Sequence, residues 1–305
     1  MPAVKPPRLR PADTVAIVAP AGAVDGELLA RGRRTLEDMG LRTRAADGVL
    51  ARERYLAGSD RRRAGELTEA FQDPEIRGII CARAGYGCGR LLPLLDVAAL
   101  ARCPKVFVGY SDATFLLNLL VQRAGMVAFH GPMVAGDFAA GLSPRSKSHF
   151  WRLVTTGKGD EELALPQALR PGVGEGRLVG GCLSVLVSAL GTPFAVDTTD
   201  AILFLEDVGE KPYRIDRMLT QLKQAGCLSR LRGVVFGEMK GCWGEPREEA
   251  DLPDVIREVF ADYEYPVALG LAAGHSGENF ALPLGVRVRL DADSGRLVFL
   301  EPAVE

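Results

Sequence analysis

Apolar and polar positions along the chain follow two different periods. Three short runs rich in β-branched and aromatic side chains fall within the first 115 residues: TVAIVAP (14–20), IRGIICARAG (76–85) and KVFVGYSD (105–112). Each breaks at glycine, alanine or proline, which predicts three short strands. Between them lie GELLARGRRTLEDMG (26–40) and SDRRRAGELTEAFQD (59–73), whose apolar residues recur at helical spacing. Strands alternating with helices predict a parallel sheet.

The pattern changes over 141–176, GLSPRSKSHFWRLVTTGKGDEELALPQALRPGVGEG, where glycine and proline punctuate a stretch of mixed character. An interdomain connection is placed there, at 151–175, between domains at 1–150 and 176–305. GRLVGGCLSVLVSALG (176–191) reads as a strand entering a small-residue helix, and AILFLED (201–207) as a buried strand. YRIDRMLTQLKQAG (213–226) sets Ile215, Met218, Leu219 and Leu222 on one helical face and stops at Gly226. RGVVFGEM (232–239) reads as a strand, and VRVRLDADSGRLVFLE (286–301) as a hairpin turning near Asp293-Ser294-Gly295. The fold class is α/β in two domains, the second a smaller α+β domain.

Composition adds little to that picture. The 305 residues are 47% hydrophobic and 25% charged, the balance of a soluble globular protein, and the net charge is −2. Arg61-Arg62-Arg63 begins a helix and reads as a solvated face, so nucleic-acid binding has no support. The six cysteines form no Cys-x-x-Cys pair and have no histidine at metal spacing, so no metal or cofactor is expected. The N-terminal stretch has no signal-peptide core and no run reaches membrane length, so a cytoplasmic protein that binds no membrane is expected.

The chemistry starts at Ser111. The strand VFVG must reverse sharply into ATFLLNLLVQRAG, and a serine on such a turn is pushed out at the carboxyl end of a parallel strand. The next N–H, that of Asp112, points the same way from a helix start, as an oxyanion donor does. The competing role for Ser111 or Asp112 is to cap the helix.

A serine hydroxyl needs a base, and the chain has three histidines: His130, His149 and His275. His149 lies in a polar stretch and reads as a surface residue. His130, some twenty residues after Ser111, reads as structural. His275 sits in the small-residue loop GLAAGHSGEN, from which a ring can reach a reacting group. An orienting carboxylate is supplied by Glu206, where AILFLE leaves the sheet, with Asp207 and Glu210 as alternatives. GYGCG (85–89) lacks the spacing of a dinucleotide loop, and its glycines suit an anion-binding nest of N–H groups. Ser184 follows a glycine pair but lies among apolar residues and reads as buried.

Taken together, YLAGSD, RAGYGCGRLLPLLD, GYSDAT, FHGPM, LFLEDVGEKPYRIDRML and AAGHSGEN resemble the murein tetrapeptide LD-carboxypeptidase family, which also contains microcin C self-immunity peptidases. The blocks run in family order over nearly the whole chain. The resemblance implies a cytoplasmic, homodimeric serine peptidase with an N-terminal flavodoxin-like domain carrying the nucleophile and a C-terminal domain carrying the acid and the base. Matched motif by motif, Ser111 is the nucleophile, Glu206 the acid and His275 the base, with the N–H groups of Gly85 and Asp112 as oxyanion donors. The loop departs from the family at Ala84, where the family commonly has glycine. That exchange restricts the backbone if the position needs positive φ.

The implied substrate is a muropeptide, cleaved between an L-centre and a terminal D-alanine in cell-wall recycling. Its free carboxylate calls for a cation, and Arg83, Arg90 and Arg214 neighbour the motifs. An immunity-type peptidase acting on acyl-sulfamoyl adenylates would instead need an aromatic surface, for which Tyr86, Trp151 and Trp243 are available. A non-catalytic two-domain binding protein is the remaining class.

Overall fold

The computed structural model describes residues 3–160, 162–243 and 251–305. The chain divides into two units, one of residues 1–159, 277–285 and 302–305, the other of 160–276 and 286–301.

The first unit runs β1 (Thr14–Val18), α1 (Gly26–Asp38), β2 (Arg42–Ala45), α2 (Asp60–Gln72), β3 (Ile76–Cys81), α3 (Val97–Ala101), β4 (Val106–Gly109), α4 (Thr114–Gln122), β5 (Ala128–His130) and α5 (Pro144–Thr156). Its sheet begins β2-β1-β3-β4-β5, all parallel, which is the flavodoxin-like order. Ile79, Ile80, Val106, Phe107 and Val108 are fully buried, as expected of strands covered on both faces. Because β3 and β4 are paired neighbours, the loops leaving their carboxyl ends are adjacent, and those loops are 82–87 and 110–113. Helix starts obey local chemistry: Asp25 accepts from the Glu27 and Leu28 N–H groups, and Ser59 from that of Arg62.

The second unit runs β6 (Glu162–Ala164), β7 (Gln167–Arg170), β8 (Val173–Cys182), α6 (Leu183–Ser188), β9 (Ala201–Val208), α7 (Pro212–Gln224), β10 (Gly233–Lys240), α8 (Leu252–Val259) and β11 (Val267–Leu269). After β12 (Leu282–Leu284), which belongs to the first unit, it ends in β13 (Arg287–Asp291) and β14 (Arg296–Phe299). Its mixed sheet has the order β6-β14-β13-β8-β9-β10-β11-β7, with β8 to β11 parallel and the flanking strands antiparallel. The β13–β14 turn is held by the Ser294 N–H donating to Asp291 at 2.8 Å, and Gly295 takes φ +68°. Helix α7 buries Ile215, Leu219 and Leu222, leaves Met218 half-buried and stops at Gly226 with φ +77°.

Three readings of the sequence change. The stretch 151–175 is not plain connection: it holds the end of α5, then β6, β7 and the start of β8. Residues 277–285 lie in the first unit, where β12 pairs antiparallel with β5 and aligns Leu282 with His130. His149 is fully buried rather than on the surface, its Nε2 2.8 Å from the Ala281 carbonyl and its ring edge-on to Phe280. A helix presents one face inward whatever the polarity of its surroundings, and here that face includes the imidazole. Among the described residues, no helix is long and apolar enough to cross a membrane.

Candidate active site

In the first unit, Ser111 lies two residues past the carboxyl end of β4 with φ +59°. A non-glycine residue in the left-handed region costs on the order of 1–3 kcal/mol and persists only where its surroundings impose it. Tyr110 before it is extended, at φ −153° and ψ −170°, and Ser111–Ala113 form one tight turn that runs into α4. Extended, left-handed, then helical backbone is the reversal that pushes a side chain out of a strand-to-helix corner. Ser111 is half-buried, and neither it nor Asp112 caps the helix through its side chain.

Asp112 has a different task. It is 4% exposed, and its Oδ2 accepts the Cys88 N–H at 2.7 Å, tying the glycine loop to the serine turn. Burial holds its carboxyl above the ordinary range, against the pull of the Cys88 and Gly87 N–H groups. Asp112→Ala is expected to lower stability by about 1–3 kcal/mol in urea unfolding, because it strands a buried N–H.

The loop places Gly85 at φ +116° and Gly87 at φ +141°, and continues as a short 3₁₀ turn at Cys88–Arg90. A dinucleotide fingerprint would open a full helix at that point. Ala84 is buried and is not among the positive-φ residues, so the side chain that departs from the family pattern carries no strain. Arg83 is engaged with the Ala23 carbonyl at 2.8 Å and Arg90 with both Asp60 oxygens.

In the second unit Glu206 and His275, the expected acid and base, meet. The His275 Nδ1 donates to Glu206 Oε2 at 2.7 Å, with Glu206 fully buried and the imidazole 19% exposed. Glu206 sits within β9, opposite Cys182 of β8, because the strand runs two residues beyond it to Val208. Of the alternatives, Asp207 accepts the Ser184 N–H at 2.8 Å at the start of α6, and Glu210 pairs with Arg214 at 3.3 Å. Alternation along β9 separates Glu206 from Asp207, since successive side chains leave opposite faces. Ser184 itself is half-buried, not buried.

Gly274 explains how the histidine comes so close. It takes φ +112°, and a Cβ there would lie 2.6 Å from Glu206 Oε2. Gly274→Ala is expected to break the carboxylate–imidazole contact and to lower kcat by about 100-fold, read as product release under saturating substrate.

His130 is fully buried, with its ring 5.6 Å from that of Tyr110, a packing arrangement in keeping with a structural histidine. One residue escaped the sequence reading: Arg63, 1% exposed, belongs to the core and not to a solvated face. The available signal was its position on α2, four residues before Leu67 and on the same face.

Residues 15–131 match the LD-carboxypeptidase N-terminal domain and residues 175–290 the LD-carboxypeptidase C-terminal domain. The murein tetrapeptide carboxypeptidase of Pseudomonas aeruginosa is 36% identical over 293 residues, covering 92% of this chain and 93% of its own. The microcin C7 self-immunity protein MccF of Escherichia coli is 25% identical over 315 residues, covering 93% and 91%. The crystal structure of the muramoyltetrapeptide carboxypeptidase from Oxalobacter formigenes superposes with a TM-score of 0.85 at 32% identity, over 95% of this chain and 99% of that one. With both domain matches in order and relatives of this similarity along nearly its whole length, the chain belongs to the LD-carboxypeptidase family.

Proposed function

We propose that the protein is a serine LD-carboxypeptidase. It hydrolyses the amide between an L-centre, that of a diamino acid, and a C-terminal D-alanine in murein tetrapeptides, for cell-wall recycling. The observation that carries this is the left-handed backbone that Ser111 takes at the corner between β4 and α4, in a chain of the LD-carboxypeptidase family. In the proposed reaction Ser111 Oγ attacks the scissile carbonyl and His275 takes its proton through Nε2. Glu206, bound to Nδ1, stabilises the imidazolium that forms. The N–H groups of Gly85 and Asp112 bind the oxyanion. Collapse of the tetrahedral intermediate returns the proton to the departing amino group of D-alanine, and water then releases the acyl group from Ser111 by the same route.

Family membership also supports a cytoplasmic homodimer acting on a muropeptide without a cofactor. The similarity to the microcin self-immunity protein MccF, a structure of which holds aspartyl sulfamoyl adenosine, favours one second substrate class, an aminoacyl-sulfamoyl adenosine. Turnover of a defined murein tetrapeptide and of glutamyl-sulfamoyl adenosine, measured side by side, separates the two. A kcat/KM at least 100-fold higher for the tetrapeptide is expected, and the reverse preference would replace the murein substrate with the adenylate.

A further inference from the structure

The most buried cation of the first unit lies directly behind the glycine loop. Arg63, with its side chain fully buried, donates through Nε to the Gly58 carbonyl at 3.2 Å and through Nη1 to the carbonyls of Pro20 and, at 3.1 Å, Gly87. Nη2 donates to Asp60 Oδ1. Asp60 also receives Arg90, whose Nε lies 2.9 and 2.8 Å from its two oxygens. One guanidinium therefore joins three loops, those after β1, before α2 and after β3.

Arginine suits this position because its five donors leave a rigid plane in several directions, and it stays charged. The loop it holds has no regular structure of its own at 83–87, and Gly85 and Gly87 have backbone freedom that only outside contacts restrict. Those contacts come from three sides. Arg63 holds the Gly87 carbonyl, Asp60 holds Arg90, and Asp112 holds the Cys88 N–H. The space is filled as well, since a Cβ at Gly87 would lie 2.7 Å from Arg63 Nη1.

The geometry points to Arg63, with Asp60, as a positioning group for the oxyanion loop: it holds the Gly87–Cys88 peptide and Arg90 at the loop's far end, so that the turn carrying the Gly85 N–H is set before substrate arrives. This rests on the serine peptidase activity proposed above. A donor aimed in advance acts on the transition state more than on the bound substrate, so loosening it lowers kcat and leaves KM nearly unchanged.

The test compares wild type, Arg63→Lys, Asp60→Asn and, as a control, Arg62→Lys, whose parent side chain binds the Gly48 and Ala57 carbonyls and pairs with Glu66 at 3.7 Å, away from the glycine loop. D-alanine release from a murein tetrapeptide gives kcat and KM, and amide hydrogen exchange reports residues 83–90 directly. Arg63→Lys is expected to lose on the order of 100-fold in kcat with KM within about three-fold, and its 85–88 amides to exchange faster. Asp60→Asn is expected to do the same to a smaller degree, and Arg62→Lys to match wild type in both. A folded Arg63→Lys protein with wild-type kcat, or one changed only in KM, overturns the proposal. If Arg63→Lys does not fold, Asp60→Asn decides, and unaltered kcat with unaltered exchange overturns it. Wild-type protein that releases no D-alanine refutes the proposed activity instead, and the exchange measurement then still reads the clamp.

Discussion

Ser111→Ala is expected to lower kcat for D-alanine release by roughly 10⁴-fold or more, with KM within a few-fold of wild type. In serine hydrolases that lose the nucleophile, the remaining rate comes from binding and the oxyanion donors alone. The backbone adds a second signature. Ser111 holds φ +59° without being glycine, so it carries strain that alanine retains and glycine relieves. Ser111→Gly is therefore expected to be inactive yet more stable than Ser111→Ala by about 1 kcal/mol in urea unfolding. Equal stabilities for the two variants would mean that the left-handed turn costs nothing. The link between strain and function would then be lost.

Glu206→Gln is expected to lower kcat by roughly 10³- to 10⁴-fold while the fold survives. Glutamine has nearly the same shape, so the fully buried site at 206 is filled. What changes is the proton. The carboxylate can only accept, which fixes the proton on His275 Nδ1 and leaves Nε2 able to take one from serine. An amide nitrogen in the same place donates to Nδ1, which puts the ring proton on Nε2 and blocks the base. A loss below ten-fold would show that Glu206 does not set the tautomer.

Much of this was legible in the sequence, for identifiable reasons. The runs 76–85 and 105–112 are rich in apolar, largely β-branched residues because their strands are covered on both faces, and such strands are the easiest to read. The hairpin at 287–299 announced itself through Asp293-Ser294-Gly295, where turn chemistry is local. Ser111 stood out because the corner it occupies follows from the strand and helix on either side of it.

What could not be read depended on contacts distant in sequence. His149 looked exposed because its neighbours are polar, yet the Ala281 carbonyl that it meets lies 132 residues away. Arg63 looked solvated because three arginines in a row usually are, and its partners come from three separate loops. Without the family resemblance, choosing Glu206 over Asp207 needed the β9 register, which sends one carboxylate to His275 and the other to the start of α6. Side-chain alternation was predictable, but which face met the histidine was not.

The most direct measurement is free D-alanine released from a defined murein tetrapeptide and from its epimer ending in L-alanine, by wild type and Ser111→Ala in parallel. Wild type is predicted to release D-alanine and to spare the epimer, and Ser111→Ala to release neither amino acid above background. Release of D-alanine by Ser111→Ala at the wild-type rate would contradict the account.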